Sequence, residues 1–425
     1  MIVFGCIALL LLLIFIGMPI GFTLIVVGSI GIFLVGGMTS LTGILSTTPY
    51  SSVNGFTLTT IPLFILMANF IAKSNIARDL YQSILKWIGH VPGGVGISTV
   101  FASAGFGALS GSSVAATAIM SKICIPELVR AKHKDTFAAG LVASSTGTLS
   151  VLIPPSIPLV LYGIQTENSI GKLLISGILP GIMLAILLSI FIVFSSLKLG
   201  SRTEASTWKE RFVSLKIIWP MIILVFLVLG VIYLGITTST EAAAFGALGA
   251  LVIGIILKRL NYAAIKDAFV DAVQQTAMIF TIAVGSYVFS YFITLAGIGQ
   301  SIMSAISASG YSKWTILALV ILFYLIIGLF MDMIGSLLLT LPLVYPIITS
   351  LGFDGIWFGV IVVLLLEIGL VTPPVGINLF ITSKYTNIPV QKVFLGTLPF
   401  IGILLFMILL LTIFPQIVLY LPNNM

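Results

Sequence analysis

The chain has 425 residues, of which 59% are hydrophobic and only 7% charged, with a mean hydropathy of +1.25. Soluble domains carry roughly 25% charged residues, so a large soluble core is excluded and an all-α polytopic membrane protein is expected. The net charge of +7 would suggest nucleic acid in a soluble protein; here membrane topology accounts for it, and no nucleic-acid partner is expected.

From the N-terminus, residues 1–34 are apolar but lack a basic n-region and a small-residue cleavage site, so they read as retained membrane segments. Hydrophobic segments run over about 2–16, 20–36, 57–72, 136–164, 173–197, 217–235, 241–257, 274–295, 356–383 and 393–420. Two more stretches, about 94–121 and 314–346, are interrupted by Gly, Ser or Pro. If both are re-entrant hairpins, each has its two ends on one side of the membrane.

Charge then sets the orientation. With the N-terminus outside, Lys73, Arg78, Lys86, Lys122, Arg130, Lys132 and Lys134 lie inside. So do Lys198, Arg202, Lys209, Arg211 and Lys216 of the linker 198–216, and Lys258, Arg259, Lys266, Lys384 and Lys392. Only Lys172 and Lys313 of the 19 basic residues remain outside, which supports both the orientation and the hairpins. The linker reads as a solvated cytoplasmic helix that divides the chain near its midpoint.

The two halves repeat. Pro154-Pro155 returns as Pro373-Pro374, each inside a membrane-length apolar stretch. Pro126 matches Pro346, Thr166 matches Thr386, and Pro180 matches Pro399, at offsets close to 220. Since 94–121 opens inside and 314–346 outside, the repeats are inverted. A Pro-Pro pair breaks a helix, and in lipid the freed backbone groups must be buried or line a polar cavity. Matched breaks of this kind point to a transporter's binding site.

The residues around the breaks suit oxygen ligation. In the first half Ser110, Gly111, Ser112 and Ser113 face the break with Gly147, Ser150 and Pro154, and are expected to hold a cation through hydroxyls and carbonyls. Close packing of small residues is the plain alternative. In the second half Asp332 and Gly335, with Gly369, Thr372 and Gly376, are the matching expectation. Substrate is expected between them, at Ser103, Thr146, Pro155, Ser156, Asp332, Ser336, Pro373 and Asn378. Glu367 also lies at membrane depth, where it is either functional or a partner of a neighbouring hairpin. Glu241 in Ser239-Thr240-Glu241 reads as a helix N-terminal cap.

No lysine or arginine falls at membrane depth, so an anionic substrate would rest on helix N-termini, hydroxyls and bound cations. Cys6, Cys124, His90 and His133 form no metal-ligand pattern. No G-x-x-x-x-G-K-[ST], G-x-S-x-G or H-E-x-x-H occurs, and Asp332 lacks a second aspartate for an intramembrane protease. An enzyme is not expected; an anion channel and a self-sufficient secondary transporter are the competing classes.

The runs Gly107-Ala-Leu-Ser-Gly-Ser-Ser-Val-Ala-Ala-Thr-Ala, Leu152-Ile-Pro-Pro-Ser-Ile-Pro-Leu-Val-Leu-Tyr-Gly, Leu179-Pro-Gly, Met331-Asp332 and Thr372-Pro-Pro-Val-Gly-Ile-Asn resemble the large membrane subunit (DctM or SiaM type) of TRAP transporters, within the ion transporter superfamily. The resemblance covers essentially the whole chain. It implies a sodium-driven importer of organic anions in the bacterial inner membrane, with Na+ as coupling ion at two or more sites. It further implies a small four-helix membrane subunit (DctQ or SiaQ type) and a periplasmic substrate-binding protein (DctP or SiaP type) as partners, within membrane lipid. By the same resemblance the mechanism is elevator-like. Residues 1–55 and 217–273 would be scaffold, and 56–197 and 274–425 the two transport units. Sialic acid is the favoured substrate from general likeness, with C4-dicarboxylates as the alternative.

Overall fold

The computed structural model describes residues 2–197 and 205–425, so Lys198 and Arg202 of the basic linker lie outside the described residues. Among the described residues every regular element is helical. Among these residues eight helices are long and apolar enough to cross a membrane, or up to ten if two bent pairs each count as one span.

The chain begins with α1 (Ile2–Phe15) and α2 (Ile20–Ser51). The sequence places the end of the second stretch near 36, and α2 does kink there: Gly37 sits at φ 74° and the helix then resumes. Next come α3 (Thr60–Lys73) and α4 (Ile76–Ile88). α4 buries Ile76, Ala77, Leu80 and Tyr81 on one side and turns Arg78 and Gln82 outward. A first helical hairpin follows, α5 (Gly94–Ser110) and α6 (Ser113–Arg130). α6 runs past the expected limit at 121, because Lys122 lowers hydropathy without breaking a helix.

A helix broken at the first Pro-Pro pair gives α7 (Asp135–Leu152) and α8 (Ile157–Thr166), bent by 44°. The first half closes with α9 (Ile170–Ser176) and α10 (Ile178–Ser196). Across the middle of the chain lie α11 (Trp208–Leu215), α12 (Trp219–Val225), a π-helical turn over Phe226–Gly230, and α13 (Val231–Tyr233). α11 starts with a capping box in which Thr207 and Glu210 satisfy each other's backbone N–H groups, and this holds the Glu210 carboxyl below its ordinary value.

The second half contains α14 (Ser239–Ile256), α15 (Tyr262–Leu295) and α16 (Ile298–Ser309). Glu241 does serve at the start of α14, as the third residue of a capping box whose N-cap is Thr238. α15 begins twelve residues before the apolar stretch at 274; its first turns carry Lys266, Asp267 and Asp271, and Asp271 pairs with Lys73 at 2.9 Å. The second hairpin is α17 (Lys313–Phe330) and α18 (Met333–Ser350), and the second broken helix is α19 (Gly355–Leu370) and α20 (Ile377–Thr386). α21 (Val390–Ile413) and α22 (Gln416–Asn423) end the chain.

The repeat seen in sequence is a repeat of helix boundaries. α8 and α20 start at Ile157 and Ile377 and end at Thr166 and Thr386, each followed by a left-handed residue, Glu167 or Asn387. The packing is reciprocal as well. The return arm α6 of the first hairpin packs on α20, while its counterpart α18 packs on α8. α7 and α19 are sheathed on all sides; every residue of α7 from Ala138 to Leu152, and of α19 from Trp357 to Leu370, is buried.

α2 and α15 form the other main pair, joined where Gly21, Gly28 and Gly31 remove side chains from the contact. A Cβ on Gly21 would stand 2.9 Å from the Ile282 backbone nitrogen, so a side chain there would push the helices apart.

Candidate functional site

Each hairpin tip is anchored to the Pro-Pro break of its own half. In the first, Gly111 turns the chain at φ 60° and Ser112 caps α6 by accepting from the Ala115 N–H at 3.4 Å. The Ile157 N–H donates to the Gly111 carbonyl at 3.2 Å. In the second, Asp332 occupies the place of Ser112 and caps α18, accepting from the N–H groups of Ile334 and Gly335 at 3.1 Å each. The Val375 N–H donates to the Leu329 carbonyl at 3.1 Å, completing the match. Glycine allows these approaches: a Cβ on Gly369 would lie 2.6 Å from the Gly328 Cα, and one on Gly111 would lie 2.5 Å from the Pro155 carbonyl oxygen.

The two breaks differ in surroundings. Both Pro-Pro peptide bonds are cis, but Pro154 and Pro155 are buried whereas Pro373 and Pro374 are exposed.

The most concentrated polar cluster is built across the two halves. The Ser113 hydroxyl, in the first turn of α6, donates to Glu367 Oε1 at 2.7 Å. Asn378 Nδ2, in the first turn of α20, donates to Ser113 Oγ at 2.8 Å and to Glu367 Oε1 at 3.0 Å. Gly147 closes the cluster: a Cβ there would fall 2.5 Å from Asn378 Nδ2 and 2.7 Å from Ser113 Oγ, and would also strike Glu367 Oε1. Glu367 and Asn378 are fully buried. Glu367 Oε2 and Asn378 Oδ1 have no hydrogen-bond partner, and Glu367 forms no ion pair among the described residues.

Two unpaired buried oxygens beside a hydroxyl form a set of hard donors suited to a cation without directional demands. No cluster of three or more His, Cys, Asp or Glu occurs among the described residues, which sets this site apart from a transition-metal centre.

Sequence reading brought Ser113 and Gly147 forward for a cation in the first half and placed Asn378 among the substrate contacts between the two sites. Asn378 turns instead to the first hairpin, and Glu367, weighed as a partner of a neighbouring hairpin, is at the centre of the cluster. Two hydroxyls expected at the substrate site, Ser103 and Thr146, meet at 2.7 Å and are both fully buried. Ser150 back-bonds to the Thr146 carbonyl, and Ser156 caps α8 through the Leu159 N–H at 3.3 Å. Ser110 reaches only the Ser112 carbonyl, at 3.5 Å, and Thr372 returns to the Ile368 carbonyl at 2.7 Å. Gly376, at φ 43°, opens α20.

Asp332 makes no hydrogen bond to the Ser113–Glu367–Asn378 cluster. Asp332 lines a cavity of about 500 Å³ against Gly17, Met18 and Pro19 of the α1–α2 turn and against Thr281 of α15. Ser336, one turn further along α18, is fully buried with an unpaired hydroxyl.

With this geometry in place, comparison with known proteins is decisive. The sequence pattern of the family described as Tripartite ATP-independent periplasmic transporter, DctM component, matches residues 7–417. The chain belongs to this family. It is 37% identical over 371 residues to the C4-dicarboxylate TRAP transporter large permease protein DctM of Pseudomonas aeruginosa, covering 87% of this chain and 86% of that one. It is 32% identical over 415 residues to the sialic acid TRAP transporter large permease protein SiaM of Vibrio cholerae, covering 97% and 96%. The fold is similar to the crystal structure of the Alcanivorax borkumensis YdaH transporter, with a TM-score of 0.65 at 13% identity over 92% of this chain and 90% of that one.

This DctM-family chain is therefore a multi-pass protein of the bacterial inner membrane, and its relatives are transport permeases rather than enzymes.

Proposed function

We propose that the chain is the large membrane subunit of a sodium-coupled, binding-protein-dependent importer of small organic acids, working by an elevator movement. The observation that carries this reading is the buried Glu367 carboxylate beside Ser113 and Asn378, with Glu367 Oε2 and Asn378 Oδ1 unpaired and no ion pair to Glu367 among the described residues. An uncompensated buried charge costs several kcal/mol, and a cation entering beside Glu367 would offset that cost. Sodium, a hard ion, takes oxygen donors of this kind and would be transported with the substrate rather than retained.

Other features support the same reading. The two hairpins, taken as re-entrant, put both of their ends on one face, inside for α5–α6 and outside for α17–α18. The buried first break and the exposed second break are what one snapshot of an alternating-access cycle in an inverted repeat would display. Asp332 and Ser336, on the second hairpin, are proposed as contacts for a second cation or for the substrate.

For the substrate, the relatives named above act on a C4-dicarboxylate and on sialic acid, and both carry carboxylates. The higher identity to the dicarboxylate permease moves the preference from sialic acid to a C4-dicarboxylate. A small four-helix membrane subunit and a periplasmic binding protein are proposed as partners, in keeping with the tripartite family.

The test is uptake of labelled C4-dicarboxylate and labelled sialic acid into vesicles holding the chain with its small subunit and its loaded binding protein. The reading expects dicarboxylate uptake that requires the binding protein and an inward sodium gradient. Uptake that needs neither sinks it, and uptake of sialic acid alone would reverse the substrate preference.

A further inference from the structure

A cavity of about 650 Å³ opens between α4 and α6, remote from the polar cluster. α4 contributes Arg78, Gln82 and Lys86, and α6 contributes Lys122, Glu127 and Arg130. Between these lies an apolar floor that includes Leu85, Ile119 and Ile123. The charges are unequally used. Arg130 is held by Glu127 at 2.8 Å, and Lys122 lies over the Tyr385 ring at 4.1 Å. Arg78 and Lys86 form no ion pair within 4.0 Å among the described residues, and Lys86 acts on Glu210 of α11 only through a longer-range attraction.

The repeat supplies an internal comparison. α16 and α18 stand where α4 and α6 stand in the first half, and they too border a cavity, of about 450 Å³. Its lining draws on α17 as well, through Leu319 and Phe323, includes Leu343 and Ile347 of α18, and contains no charged residue. Pro342 occupies the place of Lys122, and Leu343 that of Ile123. The two clefts thus share an apolar floor suited to acyl chains, and only the one on the basic, cytoplasmic side adds a charged rim.

We propose that the α4–α6 cleft binds the headgroup of an anionic phospholipid from the cytoplasmic leaflet. Arg78 and Lys86 hold the phosphate, and the upper acyl segment lies over Ile119 and Ile123. A guanidinium fork matches phosphate geometry, and basic pockets between helices on the cytoplasmic side are suited to such headgroups. A free dicarboxylate would gain nothing from the apolar floor. Lys122 is nine residues beyond Ser113, about half a turn around α6, so this face does not continue the path from the buried cluster. Bound lipid would wedge between α4 and the hairpin arm and make hairpin mobility sensitive to leaflet composition.

The experiment measures binding of phosphatidylglycerol to the purified full-length chain by native mass spectrometry. Arg78→Gln and Lys86→Gln are compared with Lys258→Gln and Lys266→Gln, exposed bases on the same membrane side but outside the cleft. Each cleft substitution is expected to weaken binding about fivefold, near the value of one basic residue at a charged membrane surface. Gln82→Glu, which places a carboxylate in the cleft at an exposed position, is expected to weaken it as well without removing a base. Equal binding in cleft and control variants overturns the proposal. So does displacement of the lipid from the wild-type chain by millimolar soluble C4-dicarboxylate, which would mark the cleft as a substrate exit.

Discussion

The hydroxyl of Ser113 donates a 2.7 Å hydrogen bond to the carboxylate of Glu367, 254 residues away in the chain and in the other repeat. Neither half can build this site alone. The first supplies Ser113 at a hairpin tip and the bare backbone of Gly147; the second supplies Glu367 before its break and Asn378 after it. A cation held here would join the two repeats, and transport would then depend on contacts that neither repeat controls by itself.

Gly147 has no room for a methyl group. Gly147→Ala is expected to cost about 1–3 kcal/mol through overpacking and to abolish sodium-dependent uptake, because the Cβ strikes all three polar partners. Gly43, whose Cβ would meet nothing within 4 Å, provides the control, and Gly43→Ala should transport normally. Thermal unfolding in detergent, read beside uptake, checks both. Normal uptake by Gly147→Ala would remove the cluster from the mechanism.

Asp332 combines a structural duty with a proposed functional one. As N-cap of α18 it is replaceable by Asn, which caps equally well, while Asp332→Ala should lose about 1 kcal/mol. If its carboxylate also serves transport, Asp332→Asn keeps the melting temperature but loses at least tenfold in uptake. Wild-type uptake by Asp332→Asn would leave the residue only its cap.

If the chain alternates access as proposed, the two breaks should report its state. Phe380 on α20 is 53% exposed, while its repeat counterpart Val160 on α8 is fully buried. Both native cysteines are buried, so Phe380→Cys and Val160→Cys can be followed separately with a membrane-impermeant maleimide. Alternating access predicts that labelling at 380 and at 160 changes in opposite directions when the sodium gradient is imposed. Labelling that is the same in both states at both positions contradicts it.

Much of this architecture is legible in the sequence because it is written in local chemistry. Paired prolines mark both breaks, and Gly and Ser mark the first hairpin tip. The offset near 220 survives as matched helix ends at Thr166 and Thr386. Other features follow from physics that a hydropathy window does not sense. α4 and the first turns of α15 are helical although charged, because their polar residues face outward or pair, as Asp271 of α15 does with Lys73 at the end of α3. The meeting of Glu367 and Asn378 with Ser113 is tertiary: it depends on α20 packing along α6, which no spacing within either half encodes. The one available signal was the cost of leaving a carboxylate at membrane depth without a basic partner.

The central claim is that sodium binds at the Ser113–Glu367–Asn378 cluster, and binding of radiolabelled sodium to the purified chain tests it most directly. Saturable binding is predicted for the wild type, with a loss of at least tenfold in affinity in Glu367→Gln and Ser113→Ala and none in Gly43→Ala. Sodium affinity unchanged in both cluster variants would contradict the account.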